Sequence, residues 1–123
     1  MNQLNTLFQE HHKHLRLIES KDLAGIEINA IIENFKTQER FFEKAAGVSR
    51  SLDQLAEELK EEHTSIIELC NQLEEAEGAS EALEILNVLG LLIKKHIRNE
   101  EHVYFEKVRN RFTEEQINGF LAH

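Results

Sequence analysis

The sequence predicts an all-α protein, an up-down-up-down four-helix bundle with a short C-terminal helix, folded as one domain over residues 1–123. Three observations carry this expectation. The chain has no proline, where average usage would supply about 5%. A proline inside a helix costs ~3 kcal/mol, so its absence favours long unbroken helices. Four successive segments repeat apolar residues at three- and four-residue intervals, the period of a helix with one buried face. The stretches between them are short, and short connections make consecutive helices antiparallel neighbours.

The first helix is expected from about Asn2 to Ser20, with Leu4, Leu7, Phe8, His11, His14, Leu15 and Ile18 on its inward stripe. Asp22 is a suitable N-cap for the second, which runs to about Ala46 and turns Ile28, Ile31, Ile32, Phe35, Glu39 and Phe42 inward. Gly47 is a fitting stop. The third opens near Ser51, which stands at capping-box spacing from Gln54. It carries Leu52, Leu55, Leu59, His63, Ile66, Ile67, Cys70 and Leu73 and ends at Gly78. Ser80 is positioned to cap the fourth. Its stripe is Leu83, Leu86, Leu89, Leu92, Ile93, His96, Glu100 and Val103, reaching about Arg111. Thr113 and Gln116 form a second capping box, opening a short helix with Ile117, Phe120 and Leu121.

Composition narrows the function. A 41% apolar and 30% charged chain suits amphipathic helices around a modest core. The net charge of −9 opposes binding to nucleic acid or to an anionic membrane surface, both of which call for a basic face. Apolar runs such as Val88–Ile93 are far shorter than the ~20 residues of a membrane span. The opening MNQLNTLFQE has neither the basic start nor the apolar stretch of a secretory signal. A single cysteine, Cys70, cannot pair internally, so a cytoplasmic location is expected.

The informative anomaly is a set of polar residues inside the apolar stripes. His11, Glu39, His63, His96 and Glu100 each fall where apolar neighbours define an inward position, and together they draw on all four helices. A buried carboxylate without a partner costs several kcal/mol or takes up a proton. Two carboxylates and three imidazoles in one layer are stabilised most simply by a cation. His96 and Glu100 are the sharpest pair: at i and i+4 they share a helix face about 6 Å apart along the axis, so both can grip one metal ion. Imidazole and carboxylate donors suit iron, manganese or zinc.

These segments resemble the hemerythrin-like, or HHE cation-binding, family. HIRNEEHVYF (His96–Phe105) is similar to that family's fourth-helix motif, a histidine followed four residues later by a glutamate. LFQEHHKHLRLI and ELKEEHTSIIEL resemble its first- and third-helix segments, which map the ligand histidines onto His11 and His63. The resemblance covers nearly the whole chain. It implies a non-haem di-iron centre in which the first and second helices serve one iron, the third and fourth serve the other, and two carboxylates bridge.

The second helix departs from this pattern. The family repeats HxxxE there, and this chain reads ENFKTQERFFEK. Matching Phe35 to the missing histidine makes Glu39 the bridging glutamate and aligns Ile28, Ile31 and Ile32 with Leu89, Leu92 and Ile93. Matching Asn34 instead puts Gln38 at the glutamate and Glu27 at an apolar position. The first register is preferred. It leaves one iron site with His63, His96, Glu39 and Glu100, and a weaker one with His11 and the bridges. Two readings of His14 stay open, a substitute donor or an amphipathic residue at the bundle end. Cys70 and Tyr104 are expected to pack, and Glu10, Glu62, His12, Glu101 and His102 to face solvent.

The resemblance implies binding or sensing of O2 or NO, or handling of iron itself. An enzyme acting on peroxide or NO at the same centre is the alternative. A metal-free signalling bundle of the histidine-phosphotransfer type fits less well, because His63 and His11 both face the core and lack the exposed setting that phosphotransfer needs.

Overall fold

The structure is a computed structural model that describes residues 3–21 and 25–122. Its helices are α1 (Gln3–Glu19), α2 (Ile28–Ala45), α3 (Arg50–Glu75) and α4 (Ala79–Arg98). From α4 the chain passes through a π-helical segment (Asn99–Tyr104) into α5 (Phe105–Arg111), and α6 (Glu114–Leu121) follows. No strand occurs among the described residues. No helix among them is long and apolar enough to cross a membrane. Helices α1 to α4 pack in cyclic order, each against the one before and the one after, with α4 closing on α1. Their short connections make the arrangement up-down-up-down. The short α6 lies across α1 and α2.

The helix starts show where local chemistry outweighs spacing. Asn2 and Asp22 lie outside the described residues. The described part of the second helix begins at Ile28, with Glu27 at its N-cap and no side-chain cap bond. Ser49, not Ser51, caps α3: its backbone is extended, and its hydroxyl accepts from Leu52 N. Just before it, Gly47 takes the left-handed conformation (φ +87°) that glycine adopts at little cost. Gly47 also donates its N–H to the Asp53 carboxylate, tying the turn to the first turn of α3. Gly78 rather than Ser80 occupies the N-cap of α4, and Glu81 reaches back to accept from Glu77 N. The Thr113–Gln116 capping box at α6 forms as expected.

The π-helical segment changes which residues face inward. A π turn holds more residues than an α turn, so the stripe after Glu100 is delayed. Tyr104 is 1% exposed, whereas Val103, expected inside, is 37% exposed. Leu83, also expected inside, is exposed as well, and Ala82 and Leu86 cover the core at that end.

Two apolar clusters fill the bundle. One gathers Leu4, Leu7, Phe41, Phe42, Leu52, Leu59, Tyr104, Phe105 and Val108, with Ile117 and Leu121 of α6 closing it. The other gathers Ile18, Ile31, Phe35, Ile66, Cys70, Leu86, Leu89, Ile93 and Ile97. The buried polar side chains belong to neither cluster and come from every helix of the bundle.

Candidate metal centre

The polar layer is built from His11 and His14 of α1, Asn34 and Gln38 of α2, His63 of α3, His96 of α4 and Glu100 of the π-helical segment, all buried. The second helix thus corrects the preferred register. Gln38 is 0% exposed and enters the layer. The Glu39 side chain is 41% exposed and approaches from outside, with Oε2 2.8 Å from His63 Nδ1. Asn34, not Phe35, faces His11 in the ring-to-ring layer. Phe35 stacks on the His63 ring instead, with centroids 4.1 Å apart. Glu27, which the Asn34 register puts at an apolar position, lies exposed at the N-cap, before the helix begins, so its charge does not oppose that register.

Carboxylates only accept hydrogen bonds, so Glu62 and Glu39 place an N–H on Nδ1 of His96 and His63. His96 Nδ1 donates to Glu62 Oε1 at 2.8 Å, and Asn99 Nδ2 donates to the other Glu62 oxygen at 2.7 Å. Glu62, expected in solvent, is therefore a buttress of the site. Burial opposes its charge, but the His96 and Asn99 bonds hold its carboxyl below the usual range. His63 Nδ1 donates to Glu39 in the same way. On α1 the relay is longer: Asn34 Nδ2 donates to Glu10 Oε2 at 3.1 Å, and Asn34 Oδ1 accepts from His11 Nε2. Gln38 Nε2 also donates to Asn34 Oδ1 and abuts His11 Nε2, so Gln38 Oε1 points towards His63 and His96.

The remaining ring atoms face acceptors. His63 Nε2 is 2.7 Å from Gln38 Oε1, yet its Nδ1 already meets the Glu39 carboxylate. A neutral imidazole has one N–H, so it cannot satisfy both. Burial, with the neighbouring His96 and His11, opposes a second proton on this ring, while the Glu39 carboxylate at 2.8 Å favours one. His96 Nε2 lies 3.1 Å from Glu100 Oε2 and 3.4 Å from Gln38 Oε1. His11 Nδ1 lies 3.4 Å from Glu100 Oε1 without a hydrogen bond. Glu100 is fully buried, and its two oxygens meet imidazole nitrogens, His96 Nε2 at 3.1 Å and His11 Nδ1 at 3.4 Å. Glu62 and Glu100, one at each ring nitrogen, favour a proton on His96; once Nε2 gives that proton up, it joins His11 Nδ1, Glu100 and the Gln38 oxygen as a donor set that suits a cation. One ligand atom each from His11, His96 and Glu100 lies within 4.8 Å of the other two. The carboxylates behind His63 and His96 orient rings in the way carboxylate–histidine–metal arrangements use.

A comparison with protein-family models matches residues 54–122 to the hemerythrin HHE cation binding domain. The chain belongs to the hemerythrin HHE family. No curated protein and no solved structure matches it. The matched part of this HHE domain supplies His63, His96 and Glu100, while His11, Asn34 and Gln38 precede it. HHE domains bind cations, and the buried acceptors of Glu100, His11 and His63 fit one. The two-iron arrangement that the resemblance implies fits less well. Of its two bridging carboxylates only Glu100 is inside, and the second-helix histidine is an asparagine.

Other residues of the HHE domain take supporting places. His14 is buried one turn beyond His11, and its Nδ1 has no hydrogen-bond partner among the described residues. It lies outside the His11–His96–Glu100 group. It does line a small cavity of about 10 Å³ with His11 and His96, whose apolar wall is Ile31, Phe35, Ile93 and Ile97. His12, half exposed, pairs with Glu101 at 3.0 Å; the Glu101 side chain, expected in solvent, is largely buried. Cys70 packs in the core, where burial and Glu74 raise its thiol to about 11. The Tyr104 hydroxyl is likewise pushed up by burial and by Asp53 and Glu100.

Proposed function

We propose that this HHE domain holds iron through His11, His63, His96 and Glu100 and offers it to a small diatomic ligand, O2 or NO. The observation that carries the reading is the buried group of His11, His96 and Glu100, one ligand atom of each within 4.8 Å of the other two, with His63 Nε2 adjoining it through the Gln38 oxygen. A positive ion there meets imidazole and carboxylate donors together. The donor set of imidazole and carboxylate suits iron, with manganese and zinc as alternatives.

Bound ferrous iron supplies a coordination position for the diatomic ligand; the chain supplies the rest. Glu62, Glu39 and the Glu10–Asn34 relay hold the three rings in their tautomers. Phe35 packs against His63 and His96 and keeps water from their faces. The cavity beside His11 and His96 has room for about one water-sized molecule.

The test is metal analysis of untagged protein, followed by anaerobic loading with ferrous ion and exposure to O2 or NO under a spectrophotometer. The reading expects bound iron and a new absorption band with either gas. Protein that takes up no iron, or loaded protein whose spectrum neither gas changes, overturns it.

A further inference from the structure

We infer that the centre holds a single cation rather than a pair, and that Asn34 and Gln38 are what limit it to one. This rests on the metal-binding reading above. Its first support is charge. Two divalent ions bring four positive charges into a layer in which, among the described residues, Glu100 is the one fully buried carboxylate. Gln38 stands where a second bridging carboxylate would be needed, and its amide oxygen donates a lone pair without offsetting charge. Glu39 and Glu62 sit behind His63 and His96, on the ring nitrogens that face away from the layer, so neither can bridge.

The second support is donor count on the α1–α2 side. His11 turns Nδ1 to Glu100, and its other nitrogen is spent on Asn34. Asn34 Oδ1 accepts from both His11 and Gln38, and Asn34 Nδ2 is committed to Glu10. An asparagine so engaged has no donor left for a metal. One ligand atom each of His11, His96 and Glu100 lies within 4.8 Å of the other two, and His63 Nε2 adjoins this one group through the Gln38 oxygen, which is 2.7 Å from His63 Nε2 and 3.4 Å from His96 Nε2. The third support is space. The Phe35 ring lies within 5.4 Å of His96 and 6.3 Å of His11, centroid to centroid, besides stacking on His63. It fills room between the imidazoles with a side chain that cannot ligate.

The measurement is stoichiometry: native mass spectrometry and elemental analysis of untagged protein loaded anaerobically with excess ferrous ion, then desalted. The single-cation centre retains one iron per chain. Two irons per chain overturn this inference and leave the metal-binding reading standing; none overturns both. The companion variant carries Asn34→His together with Gln38→Glu. It restores a histidine and a carboxylate to the layer and is expected to retain two irons. If it folds, by circular dichroism, and still retains one, the assignment of the limit to Asn34 and Gln38 is wrong. If it does not fold, the stoichiometry of the unaltered protein decides alone.

Discussion

Glu62 on α3 and His96 on α4 are joined by a 2.8 Å hydrogen bond from His96 Nδ1, and that bond aims Nε2 at Glu100. The pair links two helices, sets a tautomer and positions a donor at once. Glu62→Gln keeps the shape but gives the ring an amide that can present either an oxygen or an N–H. It should loosen cation binding by ~10–100-fold with the helix content unchanged. Competition titration against a metal chelator reads this directly; equal affinities would assign Glu62 to helix packing alone.

Neighbouring residues of α2 should behave in opposite ways. Gln38 is inside the layer and Glu39 outside it. Gln38→Leu should lose more affinity than Glu39→Gln, which removes only the charge behind His63 and belongs to the ~10–100-fold class. The same chelator titration checks the ranking. The reverse order would restore the Phe35–Glu39 register.

This register is the part of the site that spacing does not resolve. On α2, Ile31, Asn34, Phe35, Gln38, Phe41, Phe42 and Ala45 are all buried. The inward face is so wide that adjacent positions both qualify, and apolar periodicity cannot choose between 34/38 and 35/39. His63, His96 and Glu100 are legible because they continue an apolar stripe at three- and four-residue steps: Leu59 and Ile66 bracket His63, Ile93 precedes His96, and Glu100 follows it by one turn. Glu62 and Glu10 were not legible, since their partners lie on other helices. The π-helical turn was equally hidden, and it alone moves Val103 out and Tyr104 in.

Acid and base should both weaken the cation-free protein. Burial keeps His63 neutral down to about pH 2, so below the free histidine range near ~6.5 the unfolded chain binds a proton that the folded one refuses. Stability from this group is present above that range and is lost as pH falls. Burial also lowers His11 and His14, adding to the acid limb. His96 is opposite: burial disfavours its charge, but Glu100 and Glu62 outweigh burial and push it up to about 9. Its contribution is complete below ~6.5 and is lost as pH rises through about 9. Melting temperatures of chelator-treated protein across this interval should pass through a maximum near neutral pH. A curve that rises steadily to pH 9 would contradict the His96 assignment.

Gly90 tests whether a small residue there is required. A Cβ added at this position would meet Ile18 Cγ2 at 3.6 Å, an ordinary contact. Gly90→Ala should therefore stabilise α4 by ~0.5–1 kcal/mol, the usual gain inside a helix. Thermal melting should rise by on the order of 3 °C. A fall would show that α1 and α4 need the closer approach that only glycine allows.

The most direct test of the central claim compares melting of cation-free and iron-loaded protein for the unaltered chain and for His96→Leu. Iron at 100 times its dissociation constant should add about 2.7 kcal/mol. That corresponds to a rise on the order of 10 °C. His96→Leu should remain helical, because leucine suits a position between the buried Ile93 and Ile97, and should show no rise with iron. A layer of His11, His63, His96 and Glu100 that holds a cation predicts this contrast. Equal melting of the unaltered protein with and without iron, or the same rise in His96→Leu, would contradict it.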